Sequence, residues 1–150
     1  MGCGTGELCR EFVSEKYLGI DISEIYINYA KKKNPGYEFA AMDATKLSFP
    51  NASFDVVMIS GVLHHCADDI ARAILREVKR VLSPNGKVVV CEDVPTRGKM
   101  NFIGQAIQKL DEGGNILSIA DYQRLFEQYF KIKKSYPMSS GFCDYQVFVF

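Results

Sequence analysis

The sequence predicts an α/β domain with a mostly parallel sheet. Two observations carry that prediction. Short apolar runs of strand length alternate with segments whose apolar residues recur every three or four positions. Two of the runs, 54–60 (FDVVMIS) and 87–91 (KVVVC), are continuously apolar enough to be strands buried on both faces. The 150 residues suit one core, so a single domain over 1–150 is expected.

The elements follow in order. Gly4 to Lys16 reads as a turn running into a helix, with Leu8 and Phe12 on one face. Residues 17–20 form a short strand ending at Asp21. Ser23 is a suitable N-cap for a helix to about Lys33, and Pro35-Gly36 stops it. A third short strand covers 37–41. After the strand at 54–60, Asp68 or Asp69 opens a long helix through Leu82, with Ile70, Ile74, Val78, Val81 and Leu82 as its apolar stripe. Pro84-Asn85-Gly86 is a turn before the strand at 87–91. A helix is expected over 99–111, with Ile103, Ala106, Ile107 and Leu110 on one side and Gly113-Gly114 beyond it. Ser118 to Asp121 resembles a capping box for a helix carrying Tyr122, Leu125, Phe126 and Tyr129. Two strands, 130–136 and 144–150, end the chain. Lysines in 131–134 (KIKK) mark the first as an edge strand.

Composition excludes several classes. With 18 Lys+Arg against 18 Asp+Glu, the chain has no net charge and no basic footprint for nucleic acid. At 47% hydrophobic residues it can bury a core, so disorder is not expected. No apolar run is long enough to span a membrane. Met1 leads directly into the glycine loop, so no secretory leader is expected. Five cysteines without a C-x-x-C suit a reducing cytoplasm, with no disulfide framework and no metal site.

The chemistry-bearing residues begin at Gly2-Cys3-Gly4-Thr5-Gly6. Glycines allow a sharp turn and close approach of backbone to a ligand. The spacing is G-x-G-x-G followed by Glu7, unlike the G-x-G-x-x-G of dinucleotide enzymes. Asp21 ends the next strand, where a carboxylate can accept hydrogen bonds from ribose hydroxyls; it can also cap the helix at 23. Asp43 ends the strand after that, placed to accept from an exocyclic amine or to make a turn. Together these describe a nucleoside site across strand C-termini, where open α/β sheets bind ligands.

Five stretches, in order, are GCGTG, GID at 19–21, DATKLSF at 43–49, FDVVMISGVLHH at 54–65 and VKRVLSPNGKVVV at 78–90. With these the chain resembles the class I S-adenosylmethionine-dependent methyltransferases, in particular the broad small-molecule, type 11-like group. The resemblance implies a Rossmann-like, three-layer αβα methyltransferase fold. Its sheet is mostly parallel and closes on a C-terminal antiparallel hairpin. It also implies the site. Gly2, Gly4 and Gly6 would run beside the methionine part and ribose of S-adenosylmethionine. Asp21 would hold the ribose hydroxyls, Ile22 would pack on adenine, and Asp43 would meet the adenine amine with Met42 and Ala44 nearby. Ser60 and Gly61 would line the pocket near the sulfonium. His64 and His65 would stand beside the methyl group as base or substrate contacts. Asp93 and Tyr122 are weaker substrate contacts, Cys66 is not expected to be a nucleophile, and about 93–120 would cover the substrate. The partner implied is a small-molecule methyl acceptor, and the product S-adenosylhomocysteine.

One departure stands out. In such proteins the glycine loop follows a central strand, and here Met1 stands where that strand would end, so the fold is expected to be N-terminally truncated. Three arrangements are open: a late start, which is favoured; a sheet closed up with strand 17–20 beside strand 54–60; or a strand supplied by another chain. The leading function is methyl transfer to a small molecule. The alternatives are a non-catalytic nucleoside-binding domain and, disfavoured by the glycine spacing, a nicotinamide-dependent oxidoreductase.

Overall fold

The computed structural model describes residues 1–96, 106, 108, 115–141 and 143–150. Strand β1 (Leu18–Asp21) is followed by helix α1 (Glu24–Lys33) and strand β2 (Glu38–Ala41). The second part holds β3 (Phe54–Ser60), α2 (Asp68–Val81), β4 (Leu82–Val94), α3 (Ile119–Phe126), β5 (Lys134–Ser139) and β6 (Asp144–Val149). β1 and β2 pair in parallel as a two-stranded sheet. The other strands form a four-stranded sheet in the order β3-β4-β6-β5. β3 and β4 are parallel, whereas β6 runs antiparallel to both β4 and β5. The chain therefore ends in the antiparallel hairpin that the resemblance implies.

Local chemistry explains the helices. Ser23 caps α1, its hydroxyl accepting from the N–H of Tyr26 at 3.3 Å. Ser118 does the same for α3, accepting from Asp121 N–H at 3.2 Å. On α2 the residues Ala71, Ile74, Leu75, Val78 and Val81 are all buried. Ile70 departs from the expected stripe: it is 42% exposed, because the first turn of α2 overhangs a cavity rather than the core. In α3, Tyr122 and Phe126 are fully buried and pack with Phe148 of β6 and Phe150. Tyr122 is thus a core residue, and its ring does not line the large cavity.

Several expectations are corrected. No α-helix forms over 4–16; two 3-10 turns, Cys9–Glu11 and Ser14–Lys16, take its place. The reason is packing: Leu8 and Phe12 remain largely exposed, and a short helix without a buried apolar face is marginal. Pro84-Asn85-Gly86 is not a turn ahead of the strand: β4 already begins at Leu82 and runs through it. Residues 83–86 bulge out of β4 opposite Asp55, since Phe54 pairs with Leu82 and Val56 with Lys87. The edge strand β5 starts at Lys134 rather than Phe130, and the ring of Phe130 packs against Phe150. The helix expected over 99–111 lies mostly outside the described residues; Ala106 and Gln108 within it are helical.

The sheet has not closed up. Among the described residues no ladder joins β1 to β3. Met1–Cys3 threads between them instead. Met1 N–H donates to Met58 O at 2.7 Å, Ser60 N–H donates to Met1 O at 3.3 Å, and Cys3 N–H donates to Ile20 O at 3.0 Å. Burial lowers the pKa of the Met1 amine, which favours its neutral form. Beside this thread runs a slot of about 370 Å³ between the facing edges of β1 and β3, lined by Leu18, Phe54, Val56 and Met58. The arrangement with strand 17–20 beside strand 54–60 is excluded for this structure: Met1–Cys3 occupies one end of the gap, and pairing at the normal strand spacing of about 4.8 Å would need it empty.

Ile20 and Leu47 reach from the β1–β2 side into the main core with Ile59, Leu75, Val78, Val90 and Phe148. A smaller core of Cys9, Ile27, Ala30 and Phe39 sits under α1. Phe126 is the aromatic hub of the main core, touching three other rings. Phe126→Ala is expected to cost about 3–5 kcal/mol of unfolding free energy, read as a shift in the urea midpoint.

Candidate cofactor site

The C-terminal ends of β1, β2 and β3 surround a cavity of about 660 Å³. Eight of the ten cofactor residues expected from sequence line it: Gly2, Gly4, Asp21, Ile22, Met42, Asp43, Ala44 and Gly61. The other two do not. Gly6 lies behind the loop, where a Cβ would stand 2.8 Å from both the Asn34 amide and the Phe39 ring. Ser60 faces the slot on the other side of the glycine loop.

Asp21 organises the first wall. Its Oδ2 accepts the N–H of Gly4 at 2.9 Å and its Oδ1 accepts the N–H of Ser23 at 3.0 Å. One side chain thereby ties the glycine loop to the start of α1, and each oxygen keeps acceptor capacity for a ligand hydroxyl. Sequence offered ribose holding and helix capping as alternatives for Asp21; its position allows both. The 78% exposure of Ile22 leaves it as an open apolar platform beside that carboxylate.

Asp43 forms an Asx turn. Its Oδ1 accepts both the N–H and the hydroxyl of Thr45, each at 2.8 Å. Those bonds, the backbone one first, hold its carboxyl below the usual carboxylate range, so it is ionised at neutral pH, and the residue lines the cavity.

The opposite wall is the turn from Gly61 to Cys66. The two histidines separate here. His65 is exposed and lines the cavity. His64 is buried, its Nδ1 bound to Glu92 Oε2 at 2.8 Å and its Nε2 lying 3.7 Å from Asp93 Oδ2. His64 thus sits with Glu92 and the partly exposed Asp93 behind the wall, and it does not line the cavity. The thiol of Cys66 lines the cavity, and burial, reinforced by the charges of Glu92 and Asp43, raises its pKa, which keeps it a protonated thiol. Tyr26, Thr45, Val62, Ile70 and Ile74 also line the cavity and were missed from sequence. Tyr26 and Ile70 carried a signal, as apolar residues on the first turns of helices that start beside the site. No group of three or more candidate metal ligands occurs among the described residues.

Residues 1–90 match the model of the methyltransferase domain family. The chain belongs to the class I S-adenosylmethionine-dependent methyltransferases. The chain is 31% identical to the ubiquinone/menaquinone biosynthesis C-methyltransferase of Bdellovibrio bacteriovorus, over 94% of this chain and 63% of that protein. It is 38% identical to the mouse eEF1A lysine and N-terminal methyltransferase, over 59% of this chain and 14% of that protein. The chain therefore spans a small part of the mouse relative and under two thirds of the bacterial one. A crystal structure of a SAM-dependent methyltransferase from Methanosarcina mazei superposes with a TM-score of 0.77 at 21% identity, covering 99% of this chain and 88% of that one. That likeness supports the αβα fold.

S-adenosylmethionine is the methyl donor of this methyltransferase family, and the residues present fit it. The cavity falls in the usual size range for small-molecule sites. A Cβ built on Gly4 would meet nothing within 4 Å, so a ligand can approach that backbone closely. Gly4 and Gly6 both have left-handed backbone, φ +49° and +78°. Gly4→Ala is expected to cost about 1 kcal/mol of stability, the ordinary penalty of that conformation. Gly6→Ala adds overpacking against Asn34 and Phe39 and is expected to cost at least about 2 kcal/mol; paired denaturation curves check the order.

Proposed function

We propose that this chain binds S-adenosylmethionine in the cavity between Asp21, Asp43 and the Gly61–Cys66 turn, and transfers its methyl group to a small organic acceptor. One observation carries the reading: the carboxylates of Asp21 and Asp43 line a single cavity opposite Gly61 and His65. Hydroxyl and amine acceptors on one side and an open turn on the other suit a nucleoside whose reactive end points at the turn.

When bound, S-adenosylmethionine supplies a methyl carbon already activated by its sulfonium, displaced in line with the C–S electron pair leaving on sulfur. The chain's own residues then need to orient and to exclude water. Asp21 and the glycine loop fix the ribose end, Ile22 and Met42 cover the base, and Asp43 meets its amine. Orientation of this kind is worth roughly 7–11 kcal/mol in favourable cases. His65 is the side chain placed to take the proton an acceptor releases. His64 supports that turn from behind.

A small acceptor is favoured because the likeness to the quinone-pathway methyltransferase covers nearly the whole chain. A protein amine is the second reading, favoured by the 38% identity to the mouse methyltransferase.

Calorimetric titration with S-adenosylmethionine, S-adenosylhomocysteine and NAD tests the cofactor. Binding of both sulfur nucleosides and not of NAD is expected, and failure of both would overturn the proposal. Asp21→Ala should weaken S-adenosylhomocysteine binding at least about tenfold, the effect of removing one charged hydrogen-bond acceptor. Transfer of radiolabelled methyl to quinols or other small nucleophiles, against lysine-containing peptides, separates the two acceptor classes. His65→Ala should lower kcat about 10²-fold or more if a proton must be removed, with little change in nucleoside affinity.

A further inference from the structure

Glu92 is a fully buried carboxylate near the C-terminal end of β4, in register with Gln146 of β6. A carboxylate there is costly unless it is fully hydrogen-bonded, and a leucine would fill the space more cheaply. Its bonds show what it is for. Oε1 accepts the N–H groups of Val62 and Leu63, both at 3.0 Å. Oε2 accepts the N–H of His64 at 3.3 Å and faces its Nδ1 at 2.8 Å. Three successive backbone N–H groups therefore converge on one side chain, as they do in an anion-binding nest.

Those three amides belong to the start of the 3-10 turn Leu63–His65, where backbone donors have no partner within the turn. Gly61 enters it with φ +61°, and its N–H is held by Cys91 O at 3.0 Å. Within the turn, His65 N–H donates to Val62 O at 3.1 Å and Cys66 N–H to Leu63 O at 3.0 Å, and Asn115 N–H donates to His64 O at 3.2 Å. Glu92 and the neighbouring Cys91 carbonyl take up the leading N–H groups that these bonds leave over, while Gly61, Val62 and His65 line the cavity. Nδ1 of His64 meets a carboxylate acceptor and so donates to it, and the His64 ring is held in one orientation against His65, ring centroids 4.0 Å apart.

We propose that Glu92, with His64, is a positioning residue of the cofactor cavity: it holds the Gly61–Cys66 turn in the shape that receives the reactive end of the ligand. The proposal rests on the cavity being the S-adenosylmethionine site.

The test is Glu92→Gln in the full chain, beside Val90→Ala, a change at another fully buried position of the same strand that removes no hydrogen bond to the turn. The amide of glutamine keeps the size but presents N–H toward N–H. Exchange of the Val62, Leu63 and His64 amides should speed up locally in Glu92→Gln and not in Val90→Ala. Affinity for S-adenosylhomocysteine should fall at least tenfold, and kcat about 10²-fold, the scale of an ångström misplacement of a reacting group. Both should stay within about threefold of the unchanged chain in Val90→Ala. Equal losses in the two variants, or wild-type affinity and turnover in Glu92→Gln, would overturn the proposal. If Glu92→Gln does not fold, Glu92→Asp keeps the charge and withdraws it by one methylene, and the same amide and affinity changes are required of it. A failure of the unchanged chain to bind S-adenosylhomocysteine is a different result, and it overturns the site assignment itself.

Discussion

Carboxylates accepting backbone N–H groups hold the site together. Asp21 ties the glycine loop to α1, Asp43 closes its own turn on Thr45, Glu77 accepts from Leu47 N–H at 2.8 Å, and Glu92 gathers the turn after β3. Each acts where regular hydrogen bonding stops, at a strand end or in a loop. Charged acceptors make stronger bonds than neutral ones, and those of Asp21 and Asp43 also bring negative charge to the cavity wall. Arg80 completes the set on the far side, its guanidinium bound to Glu77 and donating to Leu47 O and Phe49 O at 2.9 and 2.7 Å. The 43–52 loop, with no strand or helix of its own, is thereby fastened to α2.

Legibility in the sequence followed physical cause. The strands β3 and β4 and helix α2 were plain because burial on one or both faces imposes an apolar pattern. Ser23 and Ser118 marked their helices because a cap needs a hydroxyl at one position. Asp21 and Asp43 were legible as strand-end acids. Glu92 was not, since it stands beside Asp93 just past the expected strand 87–91, where a pair of acids reads as a solvated loop, and its partners lie about thirty positions away. His64 and His65 were indistinguishable as neighbours, and only the fold sends one inward and the other out. The stretch 4–16 misled because Leu8 and Phe12 have helical spacing but no surface to bury it against. Ser60 was displaced from the cavity by alternation along β3, whose successive residues face opposite sides.

The cavity draws its two walls from different sheets. Asp21, Ile22 and Asp43 come from the β1–β2 unit, whereas Gly61, Val62 and His65 follow β3. Between the units lie the Met1–Cys3 thread and the packing of Ile20 and Leu47 into the main core. A backbone ladder would resist their separation residue by residue; side-chain packing across an open slot does so less. A molecule spanning the cavity grips both units at once, so its binding free energy adds directly to their cohesion. The domain is in this sense built like an arch in two halves, and a ligand held against both walls would be its keystone.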